Sequence, residues 1–373
     1  TSSTTTSVRS SVSLTAMTYR AVSAPPVLAV LLLTSVVGCA QSATDSVRPS
    51  RLLIEVFDGS TMGTTYTARV VTAEPWDDAR REQTRARVQS ALDAVESAMS
   101  HFQLASEVSR FNQTRSTEPF PLSSPTFEVV RTALELAQLT DGAIDITVAP
   151  LVNAWGFGPT EPDLLPPDAD QLLRLRSRVG FRKLELDEPT STVRKTDPQL
   201  EWDLSSVAKG YGVDRVAAAL RDEGETRFMV EVGGEIVASG LNHLHQPWRI
   251  GIERPADGGG IQRVVPLSNL ALATSGDYRN VREVEGHLVS HTIDPRTGRP
   301  VDHRLASVSV IAESCLMADG MATALEVLGP DEGYDLAVER GWAALFLTRD
   351  GDAITARATP AFDRLAPDGG TME

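Results

Sequence analysis

The stretch Cys315-Leu-Met-Ala-Asp-Gly-Met-Ala-Thr-Ala-Leu-Glu-Val-Leu328 sets Leu316, Ala324, Leu325 and Leu328 near a 3.6-residue period, and Gly329-Pro330 follows it. That pattern predicts a helix ending at Leu328, with one apolar side in the core. Asp319 and Thr323 stand one turn apart on it, so their oxygens project from the same face. A carboxylate beside a hydroxyl, without Cys or His among the neighbours, is a hard-oxygen set that suits Mg²⁺ better than Zn²⁺. A phosphate-handling site is one reading of the pair. The commoner reading of such spacing is that Asp319 favours the positive end of the helix dipole and Thr323 bonds back to a carbonyl of its own helix.

On either side of this helix the chain reads mostly as short strands. Residues 306–312 and 343–348 flank it, with a further helix expected over 334–340. Upstream, β-branched and aromatic runs predict strands at 51–57, 64–72, 143–148, 228–232, 235–239, 248–253, 263–267, 271–274 and 287–293. Three more are expected between 181 and 203, the last at 200–204. Amphipathic spacing predicts helices over 77–100, 127–139, 171–178 and 207–221. Runs of strands with hairpin-length links, interrupted by a few helices, indicate an α+β fold with mainly antiparallel sheets packed with helices. There is no internal repeat and no glycine-rich loop of the P-loop or Rossmann type.

Three further segments are costly for structure alone. Asp203-Leu-Ser-Ser-Val-Ala-Lys-Gly-Tyr-Gly-Val-Asp214 runs from a strand end into a helix, with small residues where a backbone could approach a ligand. The free N–H groups of a helix N-terminus suit a phosphate there, while a plain cap by Ser205 or Ser206 is the alternative. Ala273-Thr-Ser-Gly-Asp-Tyr-Arg-Asn280 reads as a polar turn. In His287-Leu-Val-Ser-His-Thr-Ile-Asp-Pro-Arg-Thr-Gly298, strand alternation sets His291 and Ile293 on one side before a tight turn at 294–298.

The 373 residues suffice for a sizeable core, and a net charge of −15 with a pI near 4.9 argues against general nucleic-acid binding. Residues 1–16 are rich in Ser and Thr and lack an initial Met, which makes Met17 a plausible start. Arg20 and the apolar run 27–37, too short to span a bilayer, then read as a signal peptide ending in Val36-Val37-Gly38-Cys39, a lipobox-like sequence. Residues 1–38 are thus expected to be an upstream segment and lipoprotein signal peptide, 39–50 a lipidated Cys39 and polar tether, and 51–373 a single domain. With Cys39 acylated, Cys315 is the one thiol left, better suited to packing than to nucleophilic chemistry.

Eight motifs occur in series: Thr61-Met-Gly-Thr-Thr-Tyr66, Ser106-Glu-Val-Ser-Arg-Phe-Asn112, Gly142-Ala-Ile-Asp-Ile-Thr147, the segment 203–214, Val232-Gly-Gly-Glu235, Thr274-Ser-Gly276, the segment 290–298 and Ala318-Asp-Gly-Met-Ala-Thr323. With them the chain resembles the ApbE family of FAD:protein FMN transferases, flavin-binding bacterial lipoproteins. The resemblance implies a T-fold-like architecture. It also implies Mg²⁺ held by Asp319 and Thr323 with the loop at Ser206, and FAD contacts from Met62, Phe102, Ala143, Ile144, Asp145, Asp203, Lys209, Thr274 and Ile293. His291 would lie near the reacting phosphate as a base, with Asp319 as its catalytic companion. The implied reaction moves FMN from FAD to a Thr, or occasionally Ser, of an acceptor flavoprotein in a membrane redox complex, at the extracytoplasmic (periplasmic) face of a bacterial membrane. An FAD pyrophosphatase and a non-catalytic flavin carrier are the alternatives.

Overall fold

Period-two alternation builds the centre of the molecule. In the computed structural model, strands β1 (Leu53–Thr61), β2 (Thr64–Thr72), β3 (Phe228–Val232), β4 (Glu235–Ser239), β5 (Leu270–Gly276), β6 (Leu305–Ala312), β7 (Ala343–Asp350) and β8 (Ala353–Ala358) lie side by side in that order. Every neighbouring pair is antiparallel. Phe228, Val230, Val237, Ala271 and Ala273 turn to one face, and Met229, Ala238, Leu272 and Ile311 to the other. Both faces are therefore covered, and the alternation is of apolar residues rather than apolar with polar. The structure describes residues 52–159, 165–255, 259–277, 281–284, 287–351 and 353–367. These belong to one compact unit, Pro49–Glu373, and the expectations for residues 1–50, Cys39 included, lie outside the described residues.

Helices α1 (Asp78–Met99), α3 (Ser205–Asp222) and α4 (Cys315–Arg340) cover the first face, and α2 (Ser124–Leu139) packs against α3 and α4. The hairpin of Trp248–Glu253 and Ile261–Leu267 covers the second, burying Trp248, Ile250 and Ile252 and leaving the residues between them exposed. Helix α4 runs through Gly329, whose φ of 81° and ψ of −174° break it into two arms. The first arm stops where the sequence predicts, and the second absorbs the helix expected at 334–340. Helices α3 and α4 touch at Gly210, where a Cβ would lie 2.8 Å from Asp319 Cβ and collide with the Cys315 carbonyl. Only a residue without a side chain permits that approach.

Several local expectations give way to side-chain hydrogen bonds. Residues 143–148 form a turn and the short 3₁₀ helix Ile146–Val148 instead of a strand. Asp145 accepts there from Thr147 N (2.8 Å), Thr147 Oγ1 (2.7 Å) and Phe181 N (2.7 Å), an arrangement that outcompetes β propensity. Residues 200–204 join no ladder; the Asn112 amide clips Trp202 instead, donating to its carbonyl (2.9 Å) and accepting from its N–H (2.7 Å). Thr274, Ser275 and Gly276 are the end of β5, paired with β6, rather than a turn. The strand expected at 287–293 is two short strands, His287–Ser290 and Ile293–Asp294, with His291 in the bend between them.

Candidate active site

A cleft of about 700 Å³ opens where β4, β5, the hairpin, the start of α3 and the middle of α4 converge. Asp319 and Thr323 reach it from α4, Ser206 and Lys209 from α3, Thr274 and Ser275 from β5, and His291 and Ile293 from the loop beyond. Residues far apart in sequence thus meet because the two central helices cross beneath the strand ends.

The floor of the cleft is an arrangement of buried charge. Lys209 Nζ donates to Glu235 Oε1 at 2.6 Å and lies 3.6 Å from Asp319 Oδ1. Asp319 Oδ2 accepts from Gly210 N at 2.8 Å. Burial pushes Glu235 up to about 7 against the pull of Lys209, and burial likewise raises Asp319. Lys209 is raised: burial opposes its charge, but the two carboxylates outweigh that. Two acids around one ammonium leave the floor short of positive charge, and Glu235 Oε2 is buried without a hydrogen-bond partner among the described residues.

Asp319 does not serve its own helix dipole, since it receives the N–H of another helix. Thr323 pairs across the cleft, Oγ1 to Ser275 Oγ at 3.3 Å. At the start of α3 the cap residue Leu204 offers no side-chain acceptor, so neither Ser205 nor Ser206 is the cap; the Asp203 carboxylate takes the Ser205 N–H at 2.9 Å and the Leu204 carbonyl the Val207 N–H at 3.0 Å. The positive end of the helix still meets the cleft at Ser206, a position that suits a phosphate. Among the described residues no group of three or more His, Cys, Asp or Glu could hold a metal. Any cation here would rest on one carboxylate, hydroxyls and substrate oxygens, a donor set suited to a hard ion.

The sequence model of the ApbE family matches residues 62–346. The chain belongs to the ApbE family. A Vibrio cholerae protein named FAD:protein FMN transferase is 43% identical over 306 residues, covering 82% of this chain and 90% of that one. The Klebsiella pneumoniae protein of the same name is 38% identical over 328 residues, with coverage of 87% and 92%. The solved structure of the flavin transferase ApbE from Vibrio cholerae matches with a TM-score of 0.77 at 39% identity, covering 84% of this chain and 99% of that one.

In this ApbE-family chain the remaining expected contacts divide. Phe102 lines the cleft, 65% exposed, with its ring centroid 4.4 Å from that of His101; Asp203, Lys209, Thr274 and Ile293 also line it. Met62, Ala143, Ile144 and Asp145 are not among its lining residues. Met62 sits in the β1–β2 turn with φ 47°, donating its N–H to Glu96. Ala143 and Ile144 are core, and the Asp145 carboxylate is consumed by its turn. His291 lies on the cleft wall beside Phe157, ring centroids 6.3 Å apart. Cys315 is fully buried, and burial holds its thiol well above the usual range, so it packs and does not react.

Sequence reasoning gave no site role to Glu235, Ser275 or His101, all of which reach the cleft. The motif Val232-Gly-Gly-Glu235 held the signal for Glu235, an acid directly after a Gly-Gly turn. Nothing in the sequence announced His101, because its partner lies 102 positions later.

Proposed function

We propose that this chain transfers FMN from FAD to a Thr, or occasionally Ser, hydroxyl of an acceptor flavoprotein and releases AMP. The observation that carries the reading is the convergence of the α3 N-terminus with Lys209, Asp319 and Thr323 in one cleft of an ApbE-family chain. Those groups suit a diphosphate, whose negative charge the α3 N–H groups and Lys209 would draw to the floor. The residues that would hold Mg²⁺ are Asp319 and Thr323, with Ser206. Bound there, Mg²⁺ would offset the charge that gathers on the diphosphate oxygens during transfer.

The acceptor hydroxyl oxygen forms a bond to the flavin-side phosphorus while the bond from that phosphorus to the bridging oxygen breaks. AMP leaves with the electron pair. His291, on the cleft wall, receives the hydroxyl proton on a ring nitrogen, as a positioned imidazole can. Thr274 lines the cleft while its hydroxyl shares a hydrogen bond with Ser309 Oγ at 2.7 Å, which fixes the strand end. Lys209 keeps the two floor carboxylates from repelling the substrate. We place the protein at the extracytoplasmic face of a bacterial membrane, held by a lipid on Cys39, with its acceptor in a membrane redox complex; the lipobox-like sequence at 36–39 supports this.

One incubation tests the chemistry. The protein is mixed with FAD, Mg²⁺ and an acceptor flavoprotein subunit, run on a denaturing gel under ultraviolet light, and assayed for AMP and FMN. Flavin fluorescence fixed to the acceptor, with AMP released in equal amount and the label lost when the acceptor Thr becomes Ala, is the expected result. Free FMN and AMP without an acceptor would instead make it a pyrophosphatase, and neither product would make it a carrier. His291→Ala should slow labelling by about 10²–10⁴-fold while FAD is retained.

A further inference from the structure

His101 and Asp203 form a pair on the cleft wall that the transfer scheme leaves without a task. His101 Nδ1 lies 3.2 Å from Asp203 Oδ1, and both side chains are largely withdrawn from solvent, at 12% and 5% exposure. The same Oδ1 accepts from Ser205 N at 2.9 Å. The Asp203 main chain is fixed too, its N–H donating to the Ile146 carbonyl at 2.7 Å. Trp202 before it is clipped by Asn112 and stacked on Phe111 at 3.6 Å. Oδ1 is therefore tied by two donors on a rigid stretch of chain, the Ser205 hydroxyl also bonds the carboxylate, and Asp203 lines the cleft, where a lone pair of Oδ2 can meet a donor of the ligand.

We infer that His101 is a positioning residue for FAD: it aims Asp203 so that Oδ2 accepts a hydrogen bond from a donor of the dinucleotide, a hydroxyl or the flavin imide N–H. This rests on the transferase reading above and deepens it. The energetic logic is that of an oriented carboxylate. A carboxyl group with both oxygens uncommitted rotates and loses part of the interaction to entropy, whereas one anchored through Oδ1 presents its second oxygen in a single direction. The pair also keeps the carboxylate ionised. Burial alone would raise Asp203, but the His101 hydrogen bond and charge, with Ser205, reverse that and hold it below the usual range. His101 is correspondingly raised: burial disfavours its charge, and the bond and charge of Asp203 outweigh burial. Phe102, lying on the His101 ring, links the pair to the surface on which a flavin could stack.

The test uses the intact protein and two variants. His101→Leu removes the donor, and His101→Asn keeps a donor at the place of Nδ1 without the charge. FAD binding is read by quenching of flavin fluorescence, separately from acceptor labelling, and melting curves confirm folding. His101→Leu should raise Kd and KM for FAD about tenfold while kcat changes less than about twofold, as expected for a hydrogen bond to a charged group. His101→Asn should recover most of that loss. Wild-type affinity should also fall as pH rises through the raised His101 value above 6.5, and both variants should lose that limb. Asp203 is the charged group in contact with His101; Lys209, Glu231, Glu235, Glu253 and His291 line the same cleft and remain in the variants, so the difference between profiles reports His101 alone. Wild-type Kd and an unchanged pH profile in His101→Leu would overturn the inference, as would a fall in kcat with KM unchanged. If His101→Leu melts early, the Asn variant decides: loss of its affinity to the same degree as a donor-free residue would also overturn it. Should the wild type bind FAD yet label no acceptor, the transferase reading fails while the binding comparison still judges His101.

Discussion

At the scale of single residues the cleft is organised by charges that cannot be satisfied within the chain. Asp319 and Glu235 share Lys209, and burial makes each carboxylate costly to ionise. A divalent cation and a diphosphate would complete that balance, which is why Asp319→Asn is the sharpest probe of it. The amide keeps an acceptor for Gly210 N and nearly the same volume, so the fold should survive. Transfer in Mg²⁺ should fall on the order of 10²–10³-fold, as when one electrostatic stabiliser of a transition state is lost. Equal rates for wild type in Mg²⁺ and in EDTA would remove the metal from the scheme. Lys195 shows the same physics away from the cleft. It is 2% exposed and donates to the Phe111 and Leu200 carbonyls at 3.2 and 3.0 Å, and burial brings it down from 10.5 to about 8. The unfolded chain therefore holds this proton more tightly, and stability should rise with pH between about 8 and 10.5. Lys195→Met should flatten that slope in a series of thermal melts across the window; an unchanged slope would mean the ammonium is not the group responsible.

Among elements, the crossing of α3 and α4 decides whether there is a site at all. Gly210 lets Asp319 approach the α3 backbone closely enough to accept its N–H. Gly210→Ala should cost about 1–3 kcal/mol by overpacking and should also depress FAD affinity, since the added methyl pushes Asp319 away. A variant with normal melting and normal FAD affinity would show that the crossing tolerates a wider spacing. Local pattern made much of this legible. The first arm of α4, the alternation of β3 and β4, and the eight motifs in order were all readable because each depends on residues within a turn or a strand of one another. What stayed hidden depends on partners distant in sequence. The strand expected at 143–148 became a turn because Asp145 found Phe181, and that at 200–204 stayed unpaired because Asn112 took the backbone groups a ladder would have used. The bend at His291 and the edge strand β8 likewise follow from tertiary placement, and β8 has burial too weak and irregular to announce itself. The pairing of Asp319 with Thr323 was legible as spacing, but not the facts that decide its use: Thr323 turned toward Ser275 and Asp319 toward Gly210.

For the whole molecule, the layering explains why the cleft lies where it does. A fully antiparallel sheet clothed by helices on one face and a hairpin on the other leaves backbone ends accessible along its rims, and the cleft lies where the ends of β4 and β5 meet the hairpin and the start of α3. No described helix is long and apolar enough to cross a membrane; the attachment we propose is a lipid on Cys39, in the segment ahead of the domain. The acidic balance of residues 51–373, 49 acidic against 32 basic, would repel the domain from an anionic lipid surface, which makes a covalent anchor the effective means of holding it there. Two acyl signals suffice for stable attachment, and lipidation of the kind expected at Cys39 adds its chains at one residue. Cys39→Ser should then move the protein from the detergent and membrane fractions to the soluble fraction, with FAD affinity and labelling rate of the purified domain unchanged, because residues 39–50 are read as a tether and none of the cleft residues lies before position 64. Identical partitioning of wild type and variant would make the sequence at 36–39 incidental. A variant that became soluble but also lost FAD would show instead that the tether contributes to the cleft.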